Sequence, residues 1–177
     1  ATSGQIYESD TQYVSDYFDD YHRELDTKMQ TAEPATEVIG ELNVPRNSLP
    51  QFLQDAREEL RRKESPPLIY GTIRLIEKDT ESFLPWAKQS YACVIFNFHT
   101  PHSPEGKSRT ANAFRRLIDL ALQHDGSYYL TYHRYATRQQ LLACYPQFPQ
   151  LLRRKFHFDP QERFQSDWYR HYKQMLA

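Results

Sequence analysis

Arg74 is the side chain whose placement asks most for an explanation. It lies in Leu-Ile-Tyr-Gly-Thr-Ile-Arg-Leu-Ile, residues 68–76, between Pro66-Pro67 and Glu77-Lys78-Asp79. The β-branched and aromatic content predicts a buried strand. Strand side chains alternate, so Tyr70, Thr72 and Arg74 share one side, and Ile69, Ile73 and Leu75 share the other. A guanidinium inside such a strand is costly unless a carboxylate, a carbonyl or a ligand meets it. Three further polar groups stand on neighbouring strands: Asn97 and His99 on 91–99, and His133 at the end of 127–133. Three imidazoles can hold zinc, and His99 and His102 are three apart. No acid or Cys accompanies them at a familiar ligand spacing, so hydrogen-bonding or acid–base work suits these histidines better than a metal.

The elements that must position these groups follow from periodicity. Residues 1–12 are polar. A helix over 13–29 is expected from Tyr17, Tyr21 and Leu25 at four-residue spacing, and 31–34 breaks it. Residues 36–44 read as a strand, with Val38 and Leu42 opposite Glu37, Ile39 and Glu41. Asn47 or Ser48 is placed to cap a helix whose stripe is Leu49, Phe52, Leu53, Ala56 and Leu60. After the strand at 68–76 comes an aromatic loop with Phe83, Leu84 and Trp86. On 91–99, Ala92, Val94, Phe96 and Phe98 oppose Cys93, Ile95, Asn97 and His99. A helix over 107–124 carries Phe114, Leu117, Ile118, Ala121 and Leu122, with Asp125-Gly126 closing it. The last strand, 127–133, sets Tyr128, Leu130 and Tyr132 against Tyr129, Thr131 and His133. Thr137-Arg138-Gln139-Gln140 has the form of a capping box.

Between 36 and 133 the order is strand, helix, strand, strand, helix, strand. That is the ferredoxin-like split βαβ order, an α+β fold with both helices on one face of an antiparallel sheet. The expected division is 1–35 as an N-terminal polar and helical segment, 36–135 as the ferredoxin-like domain and 136–177 as a helical extension. One sheet face is then left open, and Arg74, Asn97 and His133 are the polar residues that could meet on it.

Composition limits the functions. The 177 residues suit one core, and the formal net charge is -1. With a sequence pI near 6.7, the chain lacks the basic footprint of a nucleic-acid binder. Residues 91–98 also lack the Lys/Arg-Gly-aromatic-Gly pattern of an RNA-binding sheet. No apolar run approaches membrane-spanning length. Two cysteines, Cys93 and Cys144, make no disulfide framework, so a reducing cytoplasm is the expected compartment. Aromatics are 14% of the chain, while mean hydropathy is -0.81; many rings are expected to line a pocket or a covered surface.

Gly126-Ser-Tyr-Tyr-Leu-Thr-Tyr-His-Arg-Tyr-Ala-Thr, Cys144-Tyr-Pro-Gln-Phe and Phe156-His-Phe-Asp-Pro-Gln-Glu-Arg-Phe carry a resemblance. Together they resemble the C-terminal region of FAD-linked oxidases, the vanillyl-alcohol oxidase and p-cresol methylhydroxylase superfamily, which includes sugar-lactone oxidases and cytokinin dehydrogenases. The resemblance runs from about residue 36 to the end, and the Asp-Pro turn is its most specific part. Thr72-Ile73-Arg74 falls where sugar-lactone oxidases place Glu-x-Arg; the Arg is kept and Thr stands for the acid. Of their His-Trp-Gly-Lys, His133-Arg134-Tyr135-Ala136 keeps the His.

The resemblance implies a substrate-side cap over a flavin held by a separate FAD-binding domain, in cis or in trans. The implied reaction is oxidation of a small alcohol or sugar-like substrate by hydride transfer to FAD. Arg74 would orient the substrate or offset negative charge on reduced flavin, and His133 or His99 would be the base. Tyr70, Thr72, Asn97, Tyr129 and Tyr132 would form the substrate wall. The chain has five Gly and no Gly-rich phosphate-binding stretch, so the cofactor half is expected elsewhere and the chain alone is expected to be inactive. Self-association through the open face is a further expectation. The alternative is a stand-alone ligand-binding or interaction domain without catalysis.

Overall fold

The computed structural model describes residues 21–31 and 33–177. Four strands, β1 (Ala35–Pro45), β2 (Leu68–Ile76), β3 (Tyr91–Pro101) and β4 (Ser127–Tyr128), form one antiparallel sheet in the order β2-β3-β1-β4. Helix α1 (Tyr21–Lys28) precedes the sheet. Helix α2 (Leu49–Leu60) joins β1 to β2, and α3 (Pro104–Gln123) joins β3 to β4. Helices α4 (Arg138–Cys144), α5 (Phe148–Phe158) and α6 (Asp167–Leu176) form the C-terminal extension. The fold is α+β with the ferredoxin-like strand order. Of the helix expected over 13–29, residues 21–28 are helical and 13–20 lie outside the described residues.

Alternation placed the faces of β1 and β3 correctly. Leu42, Val44, Val94, Phe96 and Phe98 are buried in one core with Phe52 and Ala56 of α2 and Phe114, Leu117 and Ile118 of α3. Gly40 of β1 faces the Phe114 ring of α3. A Cβ there would run into the Phe114 ring and stand 2.8 Å from His133 Nε2. The other face carries Glu37, Ile39, Glu41 and Asn43 of β1 beside Cys93, Ile95, Asn97 and His99 of β3. The cross-strand pairs Arg74–Cys93, Thr72–Ile95 and Tyr70–Asn97 bring β2's polar side onto that same face.

Three local expectations need correction. First, β2 is not a buried strand but the outermost one. Ile73 and Leu75 point to the helix side, yet they are 48% and 65% exposed, because the helices pack over β1 and β3 and stop short of the edge. Second, the last strand ends at Tyr128. One more bond to β1 follows, from Tyr129 N to Glu41 O at 3.0 Å, and then the chain leaves the sheet: Trp168 Nε1 donates to Leu130 O at 3.1 Å. Third, neither Asn47 nor Ser48 caps α2. A 3-10 turn, Arg46–Ser48, leads into it, and Ser48 is already helical at φ -86°, so its hydroxyl does not reach back. Asp125-Gly126 closes α3 as expected: Asp125 is left-handed, with φ 56°, and Gly126 N bonds Ala121 O at 2.7 Å. The capping box at Thr137 and Gln140 is formed as expected.

Candidate functional site

The polar centre of the sheet face opposite α2 and α3 is built on Glu41. Alternation along β1 turns it away from the core, and diagonal neighbours on β3 and β2 reach it. Arg74 Nη2 donates to Glu41 Oε1, and the Cys93 thiol donates to Oε2 at 3.2 Å. The side chain of Glu41 is 1% exposed and that of Arg74 is 54% exposed. The carboxylate is therefore interior while its partner keeps one side in solvent. Glu41 holds the Arg74 guanidinium above its ordinary pKa. Burial, then Glu41, pushes the Cys93 thiol up to about 12. It stays protonated near neutrality and is a hydrogen-bond donor, not a nucleophile.

A second pair lies further along the face, where Asn97 Nδ2 donates to Glu37 Oε2. Asn97 is fully buried, and its Oδ1 has no partner among the described residues. Tyr132 stands at the rim with its phenol exposed; burial of part of the ring, then Glu41, raises its pKa. Tyr129 is half-buried between Trp86 and Tyr132, with ring centroids 5.5 Å from each. A cleft of about 500 Å³ opens beside the outer edge of β1, lined by Glu37, Ile39, Tyr132, His133 and Arg134 among others.

The sequence-derived site thus divides. Tyr70, Thr72, Arg74 and Asn97 share the sheet face opposite α2 and α3, with Tyr132 and Tyr129 at its border; that face is open only along β2, since Asn97, Cys93 and His99 are buried and α1 is tied to it through His99. His133 does not join Arg74 and Asn97. Because β4 ends early, the alternation expected through 133 does not hold. The imidazole instead packs on the helix side, with ring centroids 4.3 Å from Phe114 and 4.8 Å from Tyr135. Burial lowers its pKa to about 4, and Tyr135 N donates to its Nδ1 at 3.4 Å. His99 is on the face opposite α2 and α3, but both its nitrogens are engaged: Nε2 with Asp26 Oδ1 at 2.7 Å and Nδ1 with Thr31 Oγ1 at 3.4 Å. It ties α1 and the turn after it to the sheet. His102 Nε2 pairs with Thr36 Oγ1 at 2.6 Å. The three histidines are held apart by these contacts, and among the described residues no group of three His, Cys, Asp or Glu side chains could hold a metal ion.

Glu41, Glu37 and Cys93 are the members that sequence reasoning did not assign to the site. The signal was present: Glu37 and Glu41 alternate with Val38 and Leu42, which places them opposite the core. What alternation lacked was the register that brings Arg74 within reach of Glu41.

Compared with protein-family models and with curated proteins, the chain matches none. Among the described residues, no helix is long and apolar enough to cross a membrane.

Proposed function

We propose that this chain is the substrate-side domain of a FAD-dependent oxidoreductase acting on a small alcohol or sugar-like substrate. The flavin is held by a separate FAD-binding domain, in cis or in trans. The observation that carries this reading is the guanidinium of Arg74. It is fixed by a buried carboxylate, keeps one side in solvent, and shares its side of the edge strand with Tyr70 and Thr72. The motifs at 126–137, 144–148 and 156–164 support it through their resemblance to FAD-linked oxidases.

The residues suit the reacting end of such a cofactor rather than its phosphates. The five glycines form no Gly-rich turn, and Gly40 is closed in by Phe114 and His133. FAD, when bound, supplies the acceptor for the hydride. Arg74 presents its outer N–H groups to an oxygen of the substrate or to negative charge that develops beside it. Neither His99 nor His133 has a free nitrogen beside Arg74, and both oxygens of Glu41 are occupied. Glu37 lies six rungs along the sheet, so the chain's own part in the reaction is the positioning done by Arg74.

The test is to purify the protein as its gene encodes it, with any flavoprotein that co-purifies, and to follow anaerobic bleaching of oxidised flavin by alcohols. Chain 1–177 by itself should be colourless. Arg74→Lys keeps the charge beside Glu41 but loses the planar fork, and should slow flavin reduction by about tenfold or more. Its melting temperature should change little. A protein that neither carries flavin nor binds a flavoprotein would overturn the reading in favour of a stand-alone binding domain. Stoichiometric FAD on chain 1–177 alone would assign the cofactor to the wrong half.

A further inference from the structure

We propose that the free edge of β2 is a self-association surface, on which a second copy of this chain pairs its own β2 antiparallel about a two-fold axis at Ile73. The two four-stranded sheets then run on as one.

Among the described residues, β2 is hydrogen-bonded to β3 along one edge and ends the sheet along the other. The N–H and C=O groups of a free edge are satisfied by water or by another strand. Folded proteins commonly blunt such edges with Pro, Lys, a bulge or a very short strand. Here the irregularity is confined to the Leu68/Tyr70 end, and Tyr70 to Ile76 pair regularly with β3. That stretch holds no Pro and no Lys, and its one charge, Arg74, is turned onto Glu41. On its helix side, Ile73 and Leu75 stand in solvent at 48% and 65% exposure.

The regular stretch is centred on Ile73, and its side chains complement themselves about that centre. Ile73 meets Ile73 of the second copy. Leu75 lies opposite Gly71, where the missing side chain leaves room for it. On the open face, Arg74 stands opposite Thr72 and Tyr70 opposite Ile76, so no two charges oppose. An axis at Arg74 would set guanidinium against guanidinium. An axis at Thr72 would place Leu75 against Ile69, inside the irregular end. This self-complementarity about Ile73 favours a second copy over a foreign strand as the occupant. A single short strand per copy is small beside the about 20–30 residues a side of a standard interface, so the dimer is weak and concentration-dependent.

Sedimentation velocity of the full chain over a concentration series should show reversible monomer–dimer exchange. Ile73→Lys opposes two cations at the axis and should weaken association by at least about tenfold. Since Ile73 is half exposed on an edge strand, the variant should fold. Ile73→Cys should form an interchain disulfide under mild oxidation, because it meets itself across the axis, while Leu75→Cys, opposite Gly71, should not. Cys93 and Cys144 are buried and do not compete. A chain that stays monomeric at every concentration would overturn the proposal. So would association unchanged by Ile73→Lys, equal cross-linking at both positions, or cross-linking through Tyr132→Cys on the open face instead.

Discussion

The two faces of this sheet are buried by different means. On the helix side, Leu42, Val44, Phe96 and Phe98 are covered by the rings and aliphatic chains of α2 and α3. On the other side, Glu41, Asn43, Cys93 and Asn97 are equally inaccessible, and most of their polar atoms are held by specific partners. The first face depends on volume: any side chain that fills the space keeps most of the stability. The second depends on pairing: removing one partner leaves the other buried and unsatisfied. Low exposure alone therefore does not separate core from candidate site; the chemistry of the buried atoms does.

The largest effect should come from the helix face. Phe114 packs against Phe98, His133 and Tyr135, and Phe114→Ala should cost about 3–5 kcal/mol in denaturant unfolding. A cost under about 1 kcal/mol would mean that the helices contribute little to holding the sheet.

His133 sharpens the contrast, being a titratable group buried on the apolar face. Its folded pKa, about 4, lies below the ordinary 6.5 because of burial. Between those values the unfolded chain binds more protons than the folded one, so stability falls as pH falls from about 6.5 to about 4. The loss attached to this one group should reach about 3 kcal/mol at the acid end. His133→Phe should flatten that part of the stability–pH curve; an unchanged slope would show that the acid sensitivity arises elsewhere.

On the paired face the sign of an asymmetry is the test. Arg74→Ala leaves the Glu41 carboxylate buried without its cation and should cost about 1–3 kcal/mol, toward the low end because Arg74 is half solvated. Glu41→Gln removes the buried charge and lets Arg74 turn to water, so its cost should stay within about 1 kcal/mol. The double variant should recover stability relative to Arg74→Ala, measured as a thermodynamic cycle. Equal and additive costs would break the picture of a carboxylate that leans on its arginine. The smallest effect is expected at Thr72→Val, exposed on the same face of the edge strand. It should lie within about 0.5 kcal/mol of the parent, and a larger loss would reveal a contact made by the hydroxyl.

The resulting view of Arg74 differs from the one its position in the sequence suggests. An arginine flanked by apolar residues reads as buried and in need of rescue, but the strand is an edge and the arginine reaches solvent. The group that needs rescue is Glu41, on a strand whose composition looks unremarkable. The strand order was itself legible, since the ferredoxin-like connection puts the second strand outermost. The apolar content of 68–76 argued for burial more loudly than topology argued for exposure.

The sequence by itself determined the order of elements, the inward and outward sides of β1 and β3, and the capping box of α4. These follow from the two-residue strand period and from contacts a few residues apart, which any fold of the chain must respect. Only the tertiary structure decided that β4 stops at Tyr128, because a strand persists only while a neighbour offers backbone partners. Here Trp168, far along the chain, takes the Leu130 carbonyl instead. The same termination sends His133 to Phe114 rather than to Arg74, and the register of β1 on β3 and β3 on β2 brings Arg74 to Glu41. Each of these depends on distances between residues remote in sequence, and no local pattern carries that information.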